Sequence, residues 1–165
     1  MKKLTFAILA FAACLLTACD KDNPDCSCSY AFYDVCMNWG ADKNTVYNYV
    51  AEMSGWTEDK ELASSDNEIA FTNSETCATM TYTFSDEGLE AASVTYFDVN
   101  SKFDSLKNDV ASKCGVTSWK EQPTQSGVTW FSGSSKEKSC NISVGYGDHY
   151  GEYMYVDYEY SAFIF

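Results

Sequence analysis

The chain has 165 residues and carries 24 acidic against 11 basic side chains, a formal charge of −13, and none of the bases is arginine. That balance excludes nucleic acid and anionic lipid headgroups as partners, because phosphate recognition needs a basic patch and favours the guanidinium fork. The length is enough for one domain with a buried core.

In chain order, Lys2 and Lys3 open a basic start and Leu4 to Leu16 form an apolar run. A membrane span needs about 20 apolar residues, so this run is too short for one and fits the core of a signal peptide. It closes on Leu16-Thr17-Ala18-Cys19, which resembles the lipobox of bacterial lipoproteins. The resemblance implies cleavage between Ala18 and Cys19, acylation of the Cys19 thiol, and an outer-membrane address. Two or three acyl chains anchor stably where one does not. Lys21, flanked by Asp20 and Asp22, resembles the surface-export signal of Bacteroidota-type lipoproteins, which implies exposure at the cell surface. Residues 1–18 are therefore expected to be the signal, 19–29 the lipidated cysteine and a flexible, Pro-containing tether, and 30–165 a single domain.

Beyond Cys14 in the signal and the lipid anchor Cys19, six cysteines remain: Cys26, Cys28, Cys36, Cys77, Cys114 and Cys140. An even set in an exported chain is a disulfide framework whose connectivity the spacing leaves open. Cys26-Ser27-Cys28 is not expected to bind metal, since zinc would want two further ligands and the only histidine, His149, is remote in sequence.

The middle of the chain contains a near-duplication. Val46 to Thr57 aligns with Leu106 to Thr117, with Asn48, Val50, Ala51, Gly55 and Thr57 matched by Asn108, Val110, Ala111, Gly115 and Thr117. Each copy reads as an amphipathic helix, with Val46, Tyr49, Val50 and Met53 on one stripe and Phe103, Leu106 and Val110 on the other. Ser101 with Asp104 reads as a start cap, and Gly55 and Gly115 as left-handed stops. Strand-like runs follow each helix in the same order. The first set is Ile69–Phe71, Cys77–Phe84 and Leu89–Phe97, and the second is Val128–Phe131, Cys140–Tyr146 and Glu152–Tyr160. Met80, Tyr82 and Phe84 alternate with Thr79, Thr81 and Thr83, as in a half-buried strand.

The expected fold is α+β: two tandem helix-plus-three-strand repeats, about 40–98 and 99–160, forming antiparallel sheet with helices packed on one face. In outline this is similar to β-lactamase inhibitory protein and to small lipoproteins of outer-membrane assembly, an architectural likeness only. The Trp39-Gly40 lead-in to the first helix also resembles a pattern in Bacteroidota lipoproteins.

Catalytic signals are sparse. A serine or cysteine nucleophile wants a base, and His149 lies between two expected strands in Gly147-Asp148-His149-Tyr150-Gly151, where turn chemistry accounts for the glycines and the aspartate. There is no phosphate loop, dinucleotide fingerprint or EF-hand, and no enzyme activity, cofactor or metal is expected. Aromatic residues are in excess at 16%. Tyr153 and Tyr155 alternate with Met154 and Val156, so they share a face with Asp157 and Glu159, and Trp130 and Phe131 must point to opposite faces. Trp130, His149, Tyr150, Tyr153 and Tyr155 are the candidate binding face. The expectation is a lipid-anchored, surface-exposed module that binds a protein or a glycan; the alternative is a structural, assembly or inhibitor-like envelope lipoprotein acting through protein contacts.

Overall fold

The computed structural model describes residues 28–148 and 152–162. Cys19, Cys26, His149 and Tyr150 lie outside the described residues, as does the Ala18–Cys19 cleavage site.

Within them, alternating apolar and polar residues form one eight-stranded antiparallel sheet. Its strands are β1 (Thr57–Glu58), β2 (Glu68–Asn73), β3 (Ala78–Ser85), β4 (Gly88–Phe97), β5 (Lys120–Glu121), β6 (Thr129–Ser135), β7 (Cys140–Gly147) and β8 (Tyr153–Tyr160), ordered β1-β2-β3-β4-β8-β7-β6-β5. Two helices complete the mixed fold, α1 (Lys43–Ala51) and α2 (Phe103–Cys114). Three-strand sets were expected; the two-residue strands β1 and β5 extend the sheet at each edge.

The register puts one row across the whole sheet: Glu58, Phe71, Met80, Val94, Val156, Val144, Phe131 and Glu121. Met80 and the three valines in that row are fully buried, and the two glutamates are exposed at its ends. Because side chains alternate along a strand, Tyr82, Ala92, Tyr158 and Ile142 share this face with Ala78, Tyr96 and Met154, and all of them are buried. Val46 and Val50 of α1 and Phe103, Leu106, Val110 and Cys114 of α2 join the same core cluster.

Helix ends follow local chemistry, though not always at the expected residue. The Asp42 carboxylate caps α1, accepting from both the amide and the hydroxyl of Thr45 at 2.8 Å. These bonds hold its pKa below the usual carboxylate range. α1 closes at Ala51, so Gly55, although at φ +83°, lies beyond its end. Gly115 does take the left-handed conformation that stops α2. Ser101 provides no cap, because a 3-10 turn over Asn100–Lys102 leads directly into α2.

The segment from Cys28 to Trp39 has no regular structure and is held by side chains. Cys28 is disulfide-bonded to Cys77, so this end of the expected tether is fixed to the domain. The Tyr30 hydroxyl donates to Asp109 at 2.7 Å, the Cys36 amide to the buried Tyr82 hydroxyl at 3.1 Å, and the Trp39 indole N–H to the Lys138 carbonyl at 2.6 Å. Burial raises the Tyr82 hydroxyl above the usual phenol range, with the hydrogen bond from that amide opposing the rise. Gly40 then passes against the β3–β4 turn, where a Cβ on Gly88 would fall 2.2 Å from the Gly40 carbonyl oxygen. Trp39-Gly40 is thus where the chain enters the sheet layer closely enough to require glycine on both sides.

Candidate binding face

The strand positions between the core residues point to the opposite face. Reading across β2, β3, β4, β8, β7 and β6, one such row is Thr72, Thr79, Thr95, Tyr155, Gly145 and Trp130. The next row is Ala70, Thr81, Ser93, Asp157, Ser143 and Ser132. Phe97, Tyr153 and Gly147 are aligned in a third. On the long strands this face is made of hydroxyls, aromatic rings, glycine, alanine, an amide and carboxylates, with no leucine, isoleucine, valine or methionine.

Tyr153 and Tyr155 share this face, and the register adds Trp130 to it, with Trp130 and Tyr153 half-buried. Phe131 points to the core side, against Phe103 at 5.9 Å between centroids, with the Lys107 ammonium 4.1 Å from its ring centre.

Tyr155, one of the candidate binding residues, is not an open ring. It is only 8% exposed, yet it stands outside the core cluster. Its burial is local to this face. The cause is Gly145, its cross-strand partner: a Cβ there would fall 2.7 Å from Cε1, Cζ and the hydroxyl oxygen of Tyr155. Gly147 does the same for Tyr153, with ring atoms 2.8–3.1 Å from the missing Cβ. Both rings therefore lie down on β7, 6.4 Å apart and within 27° of parallel. Gly147 is the last residue of a strand rather than part of a turn. The sequence signal was present as Gly145-Tyr-Gly147 opposite Tyr153-Met-Tyr155, but only the register makes it meaningful.

Asp157 stands between Ser93 on β4 and Ser143 on β7. Burial pushes its carboxyl up to about 6, against a hydrogen bond from Ser93 that lowers it, with the Glu159 charge adding to the rise. The Tyr155 hydroxyl is raised above the usual phenol range by burial, then by Asp157 and Tyr153. Beside these residues a shallow groove of about 360 Å³ is lined by Trp119, Lys120, Ser132, Ser134, Asn141 and Ser143. A second depression, about 510 Å³, lies near β1 and β2. Its polar groups satisfy one another: the Tyr47 hydroxyl donates to Glu58 at 2.6 Å, and Lys43 donates to the Asp66 carbonyl.

Of the six disulfide candidates, Cys28 and Cys77 are bonded, whereas Cys36, Cys114 and Cys140 are buried thiols. Among the described residues no three His, Cys, Asp or Glu side chains are grouped to hold a metal ion, and no helix is long and apolar enough to cross a membrane. Comparison with protein-family models, curated proteins and solved structures returns no match.

Proposed function

We propose that this chain is a non-enzymatic envelope lipoprotein, anchored through an acylated Cys19 and exposed at the cell surface of a Bacteroidota-type bacterium, that binds a neutral glycan on the outward face of β6, β7 and β8. The observation that carries the binding reading is the half-buried Tyr153 ring seated on Gly147, on the side of the sheet away from the core cluster, with the buried Tyr155 ring seated on Gly145 beside it. The half-buried rings of Tyr153 and Trp130 suit stacking on the C–H face of a pyranose. The surrounding Ser, Thr, Asn and Asp side chains offer donors and acceptors to sugar hydroxyls. A protein partner would also meet the aromatic residues of this face, but the outward positions of the long strands offer it no leucine, isoleucine, valine or methionine. The formal charge of −13 argues for an uncharged ligand over a uronic or sulfated one.

The same reading takes the fold as two tandem copies of a helix-and-strand unit sharing one core, with both helices on one face. The near-identity of Val46–Thr57 and Leu106–Thr117 supports it. So does the row that runs Glu, Phe, Met, Val from one edge and Glu, Phe, Val, Val from the other.

Two experiments test the two parts. Cys19→Ala should release the protein from membranes, and retention of that variant would remove the anchor. Titration of the processed chain against neutral polysaccharides should give saturable binding in the micromolar to millimolar range. Binding only to an envelope protein would overturn the glycan and favour an assembly role through protein contacts.

A further inference from the structure

Three unbonded thiols remain among the described residues, and two of them lie on elements that pack together. Cys114 is the last residue of α2 and continues the buried stripe Phe103, Leu106 and Val110. Cys140 is the first residue of β7 and shares its face with Ile142 and Val144. The helix and the strand are in contact, Cys114 is 2% exposed, Cys140 is fully buried, and both belong to one core cluster. Each thiol also senses the ammonium of Lys138, two residues before Cys140, and the charge of Cys114 acts on Cys140. Cys36 is held elsewhere: its amide is bonded to Tyr82 on β3, and three strand spacings, roughly 14 Å, separate β3 from β7. Cys77 is already bonded to Cys28.

We propose that Cys114 and Cys140 form a dithiol site that closes into a second disulfide, tying the end of α2 to the start of β7, by exchange with an external small-molecule disulfide. One thiolate attacks the reagent, forming a mixed disulfide and expelling one reagent thiolate. The other thiolate then attacks the protein sulfur of that mixed bond and expels the second. Two protons leave the protein, and the reagent carries away two electrons as two thiols. Burial pushes Cys114 up to about 11 and Cys140 up to about 12, with Lys138 opposing both shifts. Thiolate is therefore scarce at neutral pH, and exchange waits on opening of the last turn of α2. The closed bond would fix α2 to the strand that carries Gly145 and Gly147. It is independent of what the outward face binds.

The test is to reduce the purified chain and leave it to equilibrium in a glutathione buffer poised on the oxidising side. The sample is then quenched with acid, unfolded with an alkylating agent present, and digested without reductant. The expected product is one cross-linked species joining the Cys114 and Cys140 peptides, about 2 Da lighter than the two thiol peptides together. Recovery of both cysteines alkylated or glutathionylated would overturn the proposal, as would either one joined to a different cysteine.

Discussion

Tyr155 lies across Gly145, its partner on the neighbouring strand, so closely that a single methyl group on the glycine would fall 2.7 Å from three atoms of the tyrosine. Strand glycines normally weaken a sheet. Here the missing side chain is the space the ring occupies, and the same arrangement recurs two residues away between Gly147 and Tyr153. Aromatic cover of strand glycines of this kind pins register as well as shape.

Gly145→Ala should therefore displace the Tyr155 ring. Overpacking of this sort costs about 1–3 kcal/mol, to be read as a lower denaturation midpoint at unchanged slope. Glycan affinity should fall with it. Unchanged stability together with unchanged affinity would mean that the ring has no fixed seat on β7.

Tyr82→Phe should destabilise the chain although it removes only one oxygen. That hydroxyl accepts from the Cys36 amide at 3.1 Å in a buried setting and contacts the Met80 sulfur at 3.0 Å. Leaving the amide without an acceptor costs about 1–3 kcal/mol. Hydrogen exchange should report the loss at Cys36, and exchange there as slow as in the parent would show that the segment is held by other contacts.

Asp157 predicts the direction of one pH effect. Its carboxyl is raised from the ordinary carboxylate range to about 6, chiefly by burial, so the native state holds its proton more tightly than the unfolded chain does. Its contribution to stability is present in full below about pH 4 and is lost as pH rises through about 6. The groups facing it are Ser93 and Ser143 on the flanking strands, with Tyr155 and Glu159 on its own strand. Asp157→Asn should flatten the stability profile between those limits and leave the variant the more stable form at pH 7. An identical profile in the variant would assign the titration to another group.

The main strands were legible because their side chains alternate without interruption: Met80, Tyr82 and Phe84 are buried while Thr79, Thr81 and Thr83 are half-buried. The two helices were legible from their apolar stripes and, for α2, from Gly115. Strands β1 and β5 were not, because Thr57–Glu58 and Lys120–Glu121 are exposed pairs with no pattern of their own, ordered only by the strands they meet. The segment from Cys28 to Trp39 was equally opaque. Its aromatic residues follow no helical or strand period, and their partners at Thr76, Asp109 and Lys138, like the Tyr82 partner of the Cys36 amide, are distant in sequence. For the candidate face, the parity of Tyr153 and Tyr155 was readable from the alternation, but the seating of their rings against Gly145 and Gly147 was not. It depends on which residues of β7 stand opposite, and register over a turn is not fixed by composition.

The most direct test of the binding face is a residue-by-residue amide chemical-shift titration of the processed chain with a neutral oligosaccharide. The expected result is saturable shifts confined to outward positions of β6, β7 and β8, centred on Trp130, Ser143, Tyr153 and Asp157, and lost in Tyr153→Ala. Shifts centred on α1 and α2, or no shifts at millimolar ligand, would contradict the assignment of this face.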